Sequence, residues 1–264
     1  MTDSPPLTPA IPAATLVLFR DAAAGPPELL FVERAKAMMF AGGALVFPGG
    51  RIDPGDHVLA AASGHPDANA AARIAAIRET IEEVGLPIGL SPMPSPAVFE
   101  RLRAMLHAGT VLGEALAEAG ASLDLDSLEY FARWRPAHAH TRIFDTHFYL
   151  ARLPGDAPEA RVDATENVRL FWATAADVLA QADAGRATII FPTRRNLERL
   201  AQFADFDAAV ADARAHPVRT VTPWTEMRPS ATPGDTQGEV EHLCIPHDLG
   251  YPVTSEPMSD AVRG

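Results

Sequence analysis

Glu79, Glu82 and Glu83 are the side chains whose type and spacing in this sequence best suit chemistry. At 100° per residue they gather on one side of a helix. The other side of that helix is apolar and consists of Ile74, Ile77, Ile81 and Val84. Like charges at these spacings destabilise an isolated helix by about a few tenths of a kcal/mol per pair. A hard divalent ion such as Mg²⁺, which prefers oxygen ligands, would compensate them; a solvated acidic surface is the alternative.

The helix that carries these glutamates has signals for both of its ends. Asp67 or Asn69 can serve as N-cap, and Gly85 can end the helix after Val84. We therefore predict a helix over 69–84. The glycine-rich stretch 41–55 before it cannot form a regular helix, and we predict a loop with a short strand at 44–47.

The rest of the chain alternates between strand and helix patterns, which predicts an α+β fold. A hairpin with strands at 14–20 and 28–34 opens the domain. Residues 96–131 have apolar residues at helical spacing and are predicted as a helical insertion. Further predicted elements are strands at 141–153, 168–172 and 218–221, helices at 175–184 and 193–204, a linker at 229–238 and an edge element at 240–245.

Composition excludes several classes of protein. With 264 residues, of which 47% are hydrophobic, the chain can bury a substantial core, and we expect one domain with insertions. The net charge of -12 argues against a nucleic-acid partner. The single cysteine, Cys244, cannot form an internal disulfide, and no run reaches the roughly 18 apolar residues of a membrane span. The N-terminus lacks the features of a signal peptide, so we expect a cytoplasmic protein without a membrane partner.

The segment Arg78–Leu86, which reads RETIEEVGL, resembles the second half of the Nudix box, and Gly50 with Asp56 resembles its first half. The sequence departs from the usual box in three ways. Asp56 stands where Glu is usual, Thr80 replaces an aliphatic residue, and 21 residues separate Asp56 from Arg78, many more than the family usually has. We interpret the extra residues, 58–69, as a surface excursion, which costs little closure entropy.

This resemblance implies a Nudix fold, in which helices flank a mixed β-sheet to form an α/β/α sandwich. It also implies Mg²⁺ or Mn²⁺ as cofactor and hydrolysis of a diphosphate bond. The implied metal ligands are Gly50, Glu79, Glu82 and Glu83. Arg78 would orient the glutamates, and Asp56 would stabilise the arrangement. Glu79 is the first candidate for general base and Glu166 the second.

Two further segments resemble the branch of the family that contains coenzyme A and acyl-coenzyme A diphosphatases. They are residues 39–50 (MFAGGALVFPGG) and residues 142–148 (RIFDTHF). The branch implies cleavage to 3′,5′-ADP and (acyl-)4′-phosphopantetheine, and the cluster Met38, Met39 and Phe40 could receive an acyl group. The candidate substrate contacts are Arg34, Lys36, Phe47 and Arg51.

Alternative functions remain open at this stage. The box specifies a diphosphate and not its substituents, so ADP-ribose, NADH or another nucleoside-diphosphate derivative is the first alternative substrate. A non-catalytic nucleotide sensor on the same fold is the second alternative. We predict a lead-in at 1–12, a hydrolase domain at 13–223 and a C-terminal extension at 224–264, with a homodimer left open.

Overall fold

The computed structural model describes residues 9–22, 24–38, 41–136, 143–162, 167–229 and 238–262. Its strands are β1 (Ile11–Arg20), β2 (Glu28–Arg34), β3 (Leu45–Val46), β4 (Gly49–Arg51), β5 (Leu90–Ser91), β6 (Ser122–Leu123), β7 (Glu129–Trp134), β8 (Phe144–Arg152), β9 (Asn167–Thr174), β10 (Thr220–Val221), β11 (Trp224–Pro229), β12 (Glu239–Cys244) and β13 (Ser255–Pro257). Its α-helices are α1 (Pro54–Ser63), α2 (Ala70–Val84), α3 (Pro96–His107), α4 (Leu112–Ala119), α5 (Ala175–Asp183), α6 (Phe191–Leu200) and α7 (Phe206–Ala215).

An eight-stranded mixed sheet divides the molecule into two layers. The strand order is β10-β7-β8-β1-β2-β3, with β4 paired to β1 and β9 paired to β2. β1 runs parallel to β8 and antiparallel to β2. Leu16 and Leu18 of β1 are buried on the side of α2, whereas Val17 and Phe19 are buried on the side of α6. This alternation produces a core on each face and confirms the predicted α+β sandwich.

Helix α2 confirms the predicted end of the helix and rules out the alternative of a solvated acidic surface. It stops at Val84, and Gly85 follows with a φ of 66°. The helix is buried on almost every side, and the glutamate side chains share this burial, because only 15% of Glu79 and 24% of Glu82 are exposed. A solvated acidic surface is therefore the wrong interpretation. The unusual Thr80 is fully buried, and its hydroxyl donates to the Ala76 carbonyl at 2.7 Å.

The extra residues inside the box, 58–69, include the C-terminal part of a helix, α1, and none of them is buried, as expected for a surface excursion. The Asp53 backbone N–H donates to the Asp56 carboxylate at 2.9 Å, and Pro54 occupies the first turn. Both features favour a helix start. Among the residues of α1, only Asp56 is fully buried, so the helix offers no apolar stripe that would have revealed it in the sequence.

The predicted helical insertion at 96–131 ends earlier than expected. Helix α3 and helix α4 form it, and Gly120 ends α4 with a φ of 63°. Residues 129–134 instead form β7, which pairs with β8 in the main sheet. Phe131 and Trp134 are buried in the core on the α6 side, and this tertiary burial outweighs the helical spacing of the preceding leucines.

Arg103 connects this insertion to the end of α2. Its side chain is buried, and its guanidinium donates to the Glu82 carbonyl at 2.9 Å and to the Arg161 carbonyl at 2.9 Å. The carbonyls at a helix C-terminus lack intrahelical partners and carry partial negative charge. A buried cation there both satisfies and neutralises them, so α3 holds the helix that carries the three glutamates.

The C-terminal residues extend the second core. Helix α7, which we did not predict, packs against this core, and β11, β12 and β13 form a separate sheet. Strand β11 ends at Pro229, the first residue of the predicted linker, of which 230–237 lie outside the described residues. None of the helices within the described ranges is long and apolar enough to cross a membrane. The homodimer stays a prediction.

We expect Arg103→Met to lower the free energy of unfolding by about 2 kcal/mol, because it removes charged hydrogen bonds to buried carbonyls. Arg101→Met is the matched control, since Arg101 lies exposed on the same helix. Chemical denaturation of both variants measures the difference. Equal stability of the two variants would show that Arg103 does not hold α2.

Candidate active site

Two adjacent glycines bring strand β4 against both the sheet and helix α2. Gly49 pairs with Thr15 of β1, and a Cβ at Gly49 would lie 2.7 Å from the Thr15 Cα. A Cβ at Gly50 would lie 2.5 Å from the carboxyl carbon of Glu79. The first glycine is therefore required by the backbone of β1 and the second by a carboxylate.

Arg78 links strand β4, helix α1 and two of the glutamates. Its Nε and Nη2 donate to the two carboxylate oxygens of Asp56 at 3.1 and 3.0 Å, and Nη2 also donates to the Arg51 carbonyl at 2.8 Å. Its Nη1 donates to Glu79 at 2.8 Å and to Glu82 at 3.3 Å. These five hydrogen bonds match the five N–H donors of a guanidinium.

The charges of this cluster are only partly balanced. Burial raises the pKa of Glu79 to about 8, against the opposing effect of Arg78, and Glu83 and Glu82 raise it further. Burial likewise raises the pKa of Glu82, although Arg78 opposes this shift. Burial disfavours the charged form of Arg78, but the Asp56 hydrogen bond and the neighbouring glutamates raise its pKa above the ordinary value. The Arg78 guanidinium bonds to three carboxylates, those of Asp56, Glu79 and Glu82, and Glu83 is a fourth carboxylate close to Glu79.

The contacts that define the position of Glu83 include two neutral donors. The Gly49 backbone N–H donates to its Oε2 at 3.0 Å, and the Asn167 side-chain Nδ2 donates to its Oε1 at 3.2 Å. Glu83 is 7% exposed and Asn167 is 1% exposed. Asn167, at the start of β9, was missed in the sequence because a single asparagine carries no motif.

The donor set fits a hard divalent cation, although the carboxylates have other partners in this structure. Within the described parts of the chain, no three His, Cys, Asp or Glu side chains already converge as a metal site, because Arg78 engages Glu79 and Glu82 while Gly49 engages Glu83. Carboxylate oxygens, with the Gly50 carbonyl beside Glu79, are the ligands that Mg²⁺ prefers. A cation would also relieve the repulsion among the glutamates.

The predicted substrate contacts fall in different places. Arg51 is exposed in β4 next to Gly50, Lys36 is exposed after β2, and Arg34 of β2 lies opposite Asn167 of β9. Phe47 is 3% exposed and packs in the core on the α6 side, with its ring 5.1 Å from that of Phe31. It therefore lies on the face of the sheet opposite helix α2 and its glutamates. Glu166, Met39 and Phe40 lie outside the described residues.

His147 of β8 lies in the same cross-strand row as the box glycine, and Tyr130 of β7 contacts it. Ala14 of β1 pairs with Gly50 on one side and with His147 of β8 on the other. The Tyr130 hydroxyl and the His147 Nδ1 are 2.8 Å apart. Burial lowers the pKa of His147 to about 4, so its imidazole is neutral at neutral pH. His147 lies two strand spacings, about 10 Å, from Gly50.

A comparison with solved structures decides the family. The crystal structure of a Nudix hydrolase from Alicyclobacillus acidocaldarius matches with a TM-score of 0.69 and 30% sequence identity, over 77% of this chain and 96% of that one. The chain belongs to the Nudix hydrolase family. The expected family, fold and enzyme class are thereby confirmed, and Arg78–Leu86 is the Nudix box of this hydrolase.

Other solved structures match less closely. The Nudix domain of Shewanella oneidensis NrtR in complex with ADP ribose has a TM-score of 0.43 and 14% identity, over 76% of this chain and 92% of that one. A C. elegans Ap4A hydrolase has a TM-score of 0.37 and 19% identity, over 66% and 87%. Structural similarity this low does not support an inference about the substrate. Neither a family model nor a curated protein matches the chain.

We expect Gly50→Ala to lower kcat/KM of this Nudix hydrolase by about 100-fold, because the new methyl group would displace the Glu79 carboxylate. The fold should persist, since the obstructing atoms belong to the end of a flexible side chain. Gly155→Ala is the control, because a Cβ at Gly155 would meet nothing within 4 Å. Steady-state hydrolysis over a panel of diphosphates and thermal unfolding provide the two readouts. Full activity of Gly50→Ala would contradict the close approach of Gly50 to Glu79.

Proposed function

We propose that this Nudix hydrolase cleaves the diphosphate bond of coenzyme A or acyl-coenzyme A with Mg²⁺ or Mn²⁺ as cofactor. The products would be 3′,5′-ADP and (acyl-)4′-phosphopantetheine. The observation that carries hydrolysis is the buried carboxylate cluster, in which Arg78 orients Glu79 and Glu82 while Gly49 and Asn167 orient Glu83. The small-molecule substrate would be a nucleoside-diphosphate derivative.

In this proposal the glutamates Glu79, Glu82 and Glu83 hold the cation, with the Gly50 carbonyl beside them. When bound, the cation supplies charge for the phosphate oxygens and lowers the pKa of a coordinated water. Arg78 keeps two glutamates in place through bonds that also fix Asp56. Glu79 stays the first candidate for general base, and Glu166 stays the second.

The preference for coenzyme A is supported by sequence segments that lie close to this cluster. Residues 41–50 lead directly into β4, and Phe144–Phe148 lie in β8. Because Ala14 pairs with both Gly50 and His147, β8 lies two strands away from the box glycine. Arg51 follows Gly50, and Arg34 lies opposite Asn167, so a cation flanks the carboxylates on two sides. Both arginines are proposed phosphate contacts, together with Lys36.

A diphosphatase for ADP-ribose or NADH is the alternative, because the carboxylates specify a diphosphate but not the groups attached to it. The products distinguish the two functions. Coenzyme A yields 3′,5′-ADP, which carries a 3′-phosphate, whereas ADP-ribose and NADH yield AMP. Separation of the nucleotide products by chromatography therefore identifies the substrate class from a single panel.

With Mg²⁺ present, we expect coenzyme A or an acyl-coenzyme A to give the highest kcat/KM in a panel that includes ADP-ribose, NADH and diadenosine polyphosphates. EDTA should abolish turnover and added Mg²⁺ should restore it. AMP as the main product, with little 3′,5′-ADP, would overturn the coenzyme A assignment but leave the diphosphatase activity intact. The absence of turnover on the whole panel, with nucleotide binding retained, would favour a sensor.

Glu83→Gln tests the carboxylate cluster in the same panel. The amide keeps the shape of the side chain but lacks the charge, and we expect turnover to fall by about 100-fold or more. Glu118→Gln removes an equal charge from an exposed position on α4 and should leave turnover unchanged. Equal rates for the two variants would contradict a role of Glu83 in the reaction.

A further inference from the structure

Asn167 lies against a box glutamate, and none of the sequence motifs includes it. We propose that Asn167 is a positioning residue, which fixes the orientation of Glu83 so that Glu83 can bind the divalent cation. This inference rests on the proposed function, because it requires Glu83 to be a metal ligand. The observation behind it is the hydrogen bond between Asn167 and Glu83.

The contact joins two elements that are far apart in the sequence. Asn167 opens strand β9, and its Nδ2 lies 3.2 Å from Oε1 of Glu83 in helix α2. The Gly49 backbone N–H reaches the other oxygen, Oε2, at 3.0 Å. These two donors come from different strands, contact both oxygens of Glu83 and fix the plane of its carboxylate.

The chemistry of the pair determines which end of the amide faces the glutamate. An ionised carboxylate can only accept hydrogen bonds, so Asn167 must present its NH₂ group and not its oxygen. The amide oxygen, Oδ1, is then buried, and it has no hydrogen-bond partner among the described residues. An unsatisfied buried acceptor costs about 1–3 kcal/mol, so the protein retains this amide orientation at some cost to stability.

A neutral donor suits a metal-binding glutamate better than a second cation would. Arg78 already engages Glu79 and Glu82 with charged hydrogen bonds. The Asn167 amide is uncharged, so it orients the Glu83 carboxylate and leaves its charge in place for a divalent ion. Partners of this kind tune metal affinity by about 10–100-fold when they are removed.

A purely structural asparagine in the same chain provides the comparison. Asn196 is fully buried, and its Oδ1 accepts hydrogen bonds from Trp134 Nε1 at 3.2 Å and from the Tyr251 hydroxyl at 3.0 Å. Its Nδ2 has no hydrogen-bond partner among the described residues, so each asparagine has one unpartnered end. The two differ in the group they hold: Asn167 holds a box glutamate, and Asn196 holds aromatic side chains in the opposite core.

The experiment measures the affinity of the full chain for Mn²⁺ by electron paramagnetic resonance, without substrate. We expect Asn167→Ala to weaken Mn²⁺ binding by about 10-fold. Asn167→Asp keeps the shape of the side chain but replaces the donor with a like charge, and it should weaken the binding at least as much. In steady-state hydrolysis both variants should lose kcat while KM for the substrate stays within about twofold.

Asn196→Ala is the matched control. It should lower the melting temperature but leave Mn²⁺ affinity unchanged. If Asn167→Ala lowers the melting temperature and leaves Mn²⁺ affinity unchanged, Asn167 is structural and the inference is wrong. An Asn167→Asp variant with wild-type Mn²⁺ affinity would also overturn it, since that variant lacks the donor. Should Asn167→Ala fail to fold, the Asn167→Asp result decides alone.

Glu83→Gln separates the failure of this inference from the failure of the proposed function. Unchanged Mn²⁺ affinity in Glu83→Gln would show that Glu83 is not a ligand, and the proposed metal site would then be wrong. Weaker Mn²⁺ binding in Glu83→Gln together with unchanged binding in both Asn167 variants would leave the metal site intact and reject only the role of Asn167.

Discussion

The buried guanidinium of Arg78 is the interaction on which the arrangement of the site depends. It uses its five N–H donors on the Asp56 carboxylate, the Arg51 carbonyl, Glu79 and Glu82. A lysine could not reproduce this geometry, because an ammonium lacks the planar fork. The same bonds join helix α1, strand β4 and helix α2, so the loop that ends in Gly50 and the helix that carries the glutamates are held as one unit.

The position of the glutamates within α2 explains why so many partners are needed. Glu79, Glu82 and Glu83 lie in the C-terminal half of the helix. The partial charge at that end of a helix is negative and disfavours anions. Burial adds a desolvation cost, which is visible in the raised pKa of Glu79. Arg78 offsets part of this cost, and Arg103 neutralises the carbonyls at the helix end.

Local patterns predicted the parts of the molecule that local forces determine. The apolar spacing of α2 and Gly85 gave the end of the helix, and the box motif indicated Arg78, Asp56 and the glutamates. Helix α1 was missed because its only fully buried residue is polar, although the Asp53-Pro54 start was readable. Strand β7 was missed because its burial depends on β8. Asn167 contacts a residue 84 positions away in the sequence, and no local sequence pattern can reveal a contact between residues so far apart.

Helices α1 and α3 each supply a side chain that helps to hold helix α2. Helix α1 supplies Asp56, the carboxylate that receives two bonds from Arg78, and α3 supplies Arg103 at the end of α2. Both contacts hold the same helix, one near its centre and one at its end. A cation that binds the glutamates therefore meets a helix whose position and charge are already set from both sides. Glu79, Glu82 and Glu83 would hold the cation, while Arg78 keeps Glu79 and Glu82 in place and the Gly49 and Asn167 donors keep Glu83 in place.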